Sequence, residues 1–82
     1  IHIKRSAEKE MDGLPESVFT RVADAILRLE DEPRCVGAKK LRGSDDYRVH
    51  VGSYRILYSI DDEQQVVEIV AVVHRREAYR GR

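Results

Sequence analysis

Residues 47–58, Tyr47-Arg48-Val49-His50-Val51-Gly52-Ser53-Tyr54-Arg55-Ile56-Leu57-Tyr58, constrain this chain more than any other stretch. Two runs rich in β-branched and aromatic residues flank a Gly-Ser pair, the pattern of a two-residue hairpin with glycine at the first turn position. With Gly52 and Ser53 as the loop, pairing follows outward: Val51 with Tyr54, His50 with Arg55, Val49 with Ile56, Arg48 with Leu57. Side chains alternate across a strand, so this register sorts them by face. Tyr47, Val49, Val51, Tyr54, Ile56 and Tyr58 fall on one face, which must be the core face. Arg48, His50 and Arg55 fall on the other, where directly opposed Cβ atoms lie about 5 Å apart. Crowding these cations without a carboxylate is costly unless something anionic binds them. A plain solvated sheet face accounts for them as well.

Eighty-two residues suffice for one small domain, 1–82, with a core near the lower limit of self-sufficiency. A lone cysteine, Cys35, excludes a disulfide framework, and no apolar segment resembles a signal or a membrane span. The expected location is the cytoplasm. A net charge of zero argues against nucleic-acid binding only until its distribution is read. Residues 1–32 hold five basic and eight acidic side chains, and residues 33–60 hold six and two. Residues 61–73 hold none and four, and residues 74–82 four and one. The positive blocks are the hairpin with its leading connector, and the C-terminal segment; local potential, not the total, decides phosphate binding.

Along the chain, His2-Ile3-Lys4 reads as a brief strand. Ser6 is the expected N-cap of a helix whose inward stripe is Ala7, Met11 and Leu14. Pro15 breaks that helix and opens a second, where Val18, Val22, Ala25, Ile26 and Leu29 recur at helical spacing up to Glu32. Helices joined this tightly form an antiparallel pair covering one face of a sheet. Residues 33–46 are expected as a surface connector anchored by Leu41, carrying the basic cluster Lys39-Lys40-Leu41-Arg42. After a polar turn at Asp61-Asp62-Glu63-Gln64, residues 65–73 are nearly all apolar and read as a central strand covered on both faces. Residues 74–82 continue that strand or form a last helical turn.

Metal chemistry has no ligand spacing to rest on: His2, His50 and His74 are scattered and Cys35 stands alone. No glycine-rich phosphate cradle, nucleophile elbow or paired-carboxylate motif occurs. What remains is Arg48, His50 and Arg55, with Arg75, Arg76 and Tyr79 at the end of the next strand. This set lacks an ordinary nucleophile and abounds in phosphate partners. RNA cleavage by its own 2′-hydroxyl needs neither enzyme nucleophile nor metal. An imidazole can move the protons, arginines can hold the phosphorane charge, and a tyrosine can stack on a base. The same residues also describe a passive anion patch.

The segments YRVHVGSYRILYSIDD and VVEIVAVVHRREAYR resemble the RelE side of the RelE/ParE superfamily of type II toxin–antitoxin modules. The resemblance spans essentially the whole chain and is specific over residues 47–60 and 72–80. It implies an α+β, RelE-like fold: an N-terminal strand and a two-helix hairpin on one face of a twisted antiparallel sheet of about four strands. It also implies a metal-independent endoribonuclease that cuts mRNA in the ribosomal A site, needs no cofactor, and is neutralised by a cognate antitoxin. The free toxin is then expected as a monomer. Position by position, Arg55 matches the family's phosphate-binding arginine, while Arg48 and His50 match its basic pair. Arg75 and Tyr79 match the C-terminal arginine and tyrosine, with Lys39, Lys40, Arg42 and Arg76 left to hold RNA. His50 stands where some members carry lysine, and His74 is its rival for proton transfer. Two other readings stay open: a ParE-like gyrase poison without nuclease activity, and a degenerate module that only binds antitoxin. Val18, Val22, Ile26, Leu29, Val49, Ile56 and Val70 are the expected core.

Overall fold

The computed structural model describes residues 1–74 and residue 76. In chain order these are β1 (His2–Ile3), α1 (Arg5–Asp12), α2 (Glu16–Asp31), β2 (Lys39–Lys40), β3 (Asp46–Val51), β4 (Tyr54–Asp61) and β5 (Val66–His74). The strands form one sheet in the order β1-β5-β4-β3-β2. It has five strands rather than four and is mixed, because β1 pairs parallel with β5 through His2↔Glu68 and Ile3↔Ile69. The fifth strand comes from the connector: Lys39 and Lys40 pair with Arg48 and Tyr47.

Both helices lie on one face and build the core there. Ala7, Met11, Val22, Ile26 and Leu29 meet Ile56, Tyr58, Val67, Ile69 and Val72, all buried. Val18 and Val49 pack against this core while half-buried. Pro15 caps α2 as expected. The cap of α1 is Lys4 rather than Ser6, and it has no side-chain bond; the amide of Lys4 is instead held by the Ile69 carbonyl at 3.0 Å. The parallel pairing of β1 thus fixes where the helix begins. Leu41 is not among the residues packed on the core; Cys35 and Ala38 anchor the connector instead.

The hairpin has the expected register, from Val51↔Tyr54 through Tyr47↔Tyr58. Gly52 takes φ of 60°, the positive value that a two-residue turn requires at its first position. The last strand departs from expectation. Its partners jump from Leu57↔Ala71 to Tyr58↔Ile69, leaving Val70 as the extra residue of a β-bulge. Ile69 and Val72 therefore both point inward although three residues apart, and Val70, expected in the core, is half-buried. Glu10 of α1 braces this region, its Oε1 accepting a hydrogen bond from the Val72 amide at 3.0 Å. β5 is an interior strand but not the middle one, a place β4 takes. Its outer face is only half covered, with Val66, Glu68 and Val73 partly exposed.

Candidate functional site

β3 and β4 position the candidate side chains because the tight Gly52-Ser53 turn leaves their register no freedom. His50 stands directly opposite Arg55, and Arg48 is one same-face step along β3. β2 adds Lys39, paired with Arg48. The site is thus a strip of cations across three neighbouring strands, on the sheet face turned away from the helices. Among the described residues, no ion pair ties Arg48, His50 or Lys39.

The electrostatics follow from this crowding. Partial desolvation, then the positive charges of Arg55, Arg48 and Lys39, push the His50 imidazole below its ordinary value. A neutral imidazole at physiological pH accepts a proton, which is the state a general base needs. Arg55 is buried, with 8% of its surface exposed, so the face is less open at this position than alternation alone suggests. Desolvated guanidinium groups interact more strongly with a phosphate than solvated ones do.

His74 belongs elsewhere. Its strand partner is Tyr54, and the two rings meet edge to face with centroids 5.1 Å apart. Its Nδ1 accepts a hydrogen bond from the Arg76 amide at 3.2 Å. Tyr54 lies on the helix-facing side of the hairpin, so His74 sits across the sheet from His50. Lys40, Arg42 and Arg76 are exposed; Lys40 pairs with Tyr47, so it alternates to the face opposite Lys39, and its Nζ lies 3.8 Å from the Asp45 carboxylate. Arg75 and Tyr79 lie outside the described residues. Among the described residues, no group of three or more His, Cys, Asp or Glu is placed to hold a metal ion. No helix of the described residues is long and apolar enough to cross a membrane.

Sequence reading missed Arg34. Its guanidinium grips Asp62 through two hydrogen bonds of 3.0 and 2.9 Å, and its Nε donates to the Tyr47 hydroxyl at 3.2 Å. Tyr47 stacks on Tyr58, whose hydroxyl donates to the Pro33 carbonyl at 2.6 Å. This chain of contacts fixes the connector to the sheet just upstream of Lys39. Burial, followed by the nearby charges of Cys35 and Tyr47, pushes the Tyr58 phenol up to about 12. Tyr47 and Tyr58 are accordingly packing residues.

The chain is similar throughout to known toxins. The family model described as the ParE toxin of type II toxin–antitoxin systems, parDE, matches residues 1–79. Toxin RelG of Mycobacterium tuberculosis is 33% identical over 84 residues, covering 98% of this chain and 94% of that protein. The crystal structure of the RelBE2 toxin–antitoxin complex from the same organism matches with a TM-score of 0.82 and 30% identity, covering 89% of this chain and 93% of that one. The isolated RelE toxin of Escherichia coli matches with a TM-score of 0.78 and 26% identity, covering 96% and 93%. The fold, the hairpin and these likenesses agree: the chain belongs to the ParE toxin family of type II toxin–antitoxin systems and is a RelE-type toxin of the wider RelE/ParE superfamily.

Proposed function

We propose that this toxin is an endoribonuclease that cuts mRNA in the ribosomal A site, with the RNA's own 2′-hydroxyl as nucleophile. The observation that carries the reading is His50, held below its ordinary pKa beside Arg55, Arg48 and Lys39. His50 accepts the proton of the 2′-hydroxyl, whose oxygen attacks the adjacent phosphorus. The bond from phosphorus to the 5′-oxygen breaks, and that oxygen takes up a proton as it leaves. Cleavage therefore yields a 2′,3′-cyclic phosphate and a 5′-hydroxyl. Arg55 and Arg48 hold the charge that builds on the phosphorane oxygens. By the family resemblance Arg75 joins them, and Tyr79 stacks on a base or shapes the leaving-group side. Lys39, Lys40, Arg42 and Arg76 hold the flanking phosphates. Acting on ribosomes places the protein in the cytoplasm. A cognate antitoxin restrains it, as in the solved RelBE complexes to which the chain is similar.

The test is single-turnover cleavage of an mRNA on purified ribosomes, with end-group analysis of the products. Cyclic phosphate termini support the reading, and intact mRNA in the presence of ribosomes defeats it. The match to the ParE family model favours a second reading, a toxin that poisons DNA gyrase and cuts nothing. Loss of plasmid supercoiling before any loss of translation, after brief expression, selects that reading. Failure of neither process leaves a module that only binds antitoxin.

A further inference from the structure

At His50 the sheet runs out. β2 pairs with β3 only as far as Arg48, so beyond that residue β3 is the edge strand and α2 flanks it. Between the two, beside the hairpin turn, lies a largely polar cavity of about 290 Å³. Arg21, Asp24 and Arg28 of α2 line it, together with His50, Val51 and Gly52. Arg21 and Arg28 are two helical turns apart and so share one side of α2. Asp24 is within helical reach of both, yet among the described residues neither guanidinium forms an ion pair. Arg21 lies instead against the turn, its guanidinium 3.3 to 3.6 Å from where a Cβ on Gly52 would stand. The bare Cα of glycine leaves it that room.

The charge in the cavity selects the ligand. Two guanidinium groups against one carboxylate leave a net charge of +1, and His50 adds none in its neutral form. A phosphodiester carries one negative charge and matches this balance. A phosphate monoester carries about −1.5 to −2 at pH 7 and exceeds it. Guanidinium forks also bind phosphate oxygens in pairs, which fixes the position of the group as well as its charge. The adjoining cavity of about 480 Å³ shares Arg28 and His50, but Leu29, Val36 and Val49 wall it and Asp31 and Glu32 border it. An anion is therefore favoured on the turn side of His50.

We propose that Arg21 and Arg28 hold a phosphodiester next to the one being cut, where the RNA chain passes over the edge of β3 at His50. The proposal rests on reading the protein as an RNA-cutting toxin, and it carries the cation strip from the sheet face round the sheet edge onto α2. Arg48 and Lys39 lie on the side of His50 away from the turn, and Arg21 lies toward it. The RNA is thus gripped on both sides of the imidazole. Neither α2 arginine touches the reacting atoms, so their contribution falls on binding and register rather than on the chemical step.

The test is single-turnover cleavage of mRNA on ribosomes as toxin concentration is varied. Arg21→Gln with Arg28→Gln raises the half-saturating concentration at least about tenfold, while the rate at saturation changes less than about twofold. The salt dependence of half-saturation becomes shallower by about one unit of slope for each arginine that contacts phosphate. A neutral methylphosphonate is then placed singly at each position flanking the cut. At the phosphate the arginines hold, it weakens wild type by a similar factor and weakens the double variant no further. Arg5→Gln with Lys9→Gln, on α1, leaves half-saturation unchanged, and circular dichroism checks the fold of both variants. An unchanged half-saturation in the α2 variant overturns the proposal, and assigns the arginines to an acidic protein segment if binding of one is weakened instead. A loss that adds in full to that of every methylphosphonate also overturns it, in favour of ribosomal RNA phosphates. Inorganic phosphate that competes against wild type but not against the variant, at constant ionic strength, overturns it in favour of free phosphate. Wild-type protein that cuts no mRNA refutes the endoribonuclease reading itself, an outcome distinct from all of these.

Discussion

The two ends of the β3–β4 hairpin treat positive charge in opposite ways. At the end away from the turn, Arg34 meets Asp62 in a bidentate pair and rests on Tyr47, its guanidinium carbon 5.5 Å from the ring centroid. Near the turn, Arg48 and His50 face Arg55 and Lys39, and the described residues provide Arg48 and His50 with no counter-ion. The matched end serves the fold: it ties connector to sheet, and each partner stabilises the other's charged form. At the unmatched end Arg48 and His50 bear the repulsion of neighbouring cations without such a counter-ion among the described residues. Equal chemistry at the two ends would have hidden the site.

The largest effect is expected at His50. His50→Ala lowers single-turnover cleavage by roughly 10²–10⁴ if the imidazole is the proton acceptor. Arg55→Ala follows, at about 10²–10³, the loss of one preorganised donor to the phosphorane. Because Arg55 is buried, this variant also melts at a lower temperature, whereas His50→Ala does not. Wild-type rates in both folded variants would show that the unmatched end is only a solvated face.

Changing pH sharpens the same contrast. The His50 value lies below 6.5, so the neutral base predominates at pH 7. The cleavage rate climbs with pH below 6.5 and flattens before neutrality. Folding follows the same sense: the native state takes up this proton less readily than the unfolded chain, so His50 costs stability as pH falls through 6.5. His50→Lys moves the rising limb of the rate profile to alkaline pH, since lysine ordinarily loses its proton near about 10.4.

The matched end is expected to move stability and leave chemistry alone. Tyr58→Phe deletes the hydrogen bond to Pro33 and costs about 1 kcal/mol in denaturant unfolding. The tyrosinate absorbance step at about 12 disappears with it. The smallest change belongs to Arg34→Ala, because both partners of its ion pair are exposed. Arg34 holds the Asp62 carboxyl below its usual range. The pair therefore contributes above that range and is lost as pH falls through the lowered value. The melting-temperature gap between wild type and Arg34→Ala closes over the same interval, with cleavage unaffected throughout.

What the sequence disclosed tracks the range of the interactions involved. Gly52 fixed the hairpin register because turn and strand signals lie within a few residues of each other. Val22, Ile26 and Leu29 were readable from helical spacing alone, and all are buried. Arg34 was not, since its carboxylate partner is 28 positions away and no local pattern links them. β2 was hidden for a related reason: two exposed lysines carry no alternation, and only the neighbouring Tyr47 and Arg48 make them a strand. Arg48, His50 and Arg55 could be placed on one face, but the burial of Arg55 depends on tertiary packing.

The bulge at Val70 also bears on how a chain of this kind tolerates changes in length. Loss of Val70 would place Ile69 and Ala71 in consecutive positions, leaving Ile69 and Val72 two apart and both still inward. The ladder would close into a regular one, straighter by the missing bend. Insertion of one more residue beside Val70 would also put Ile69 and Val72 an even number apart, but a regular ladder would then slip the end of β5 two places along β4 and carry Val72 away from Ile56 and Glu10. Among chains sharing this architecture, shortening at this point of β5 should therefore be the gentler accident and lengthening the harsher one.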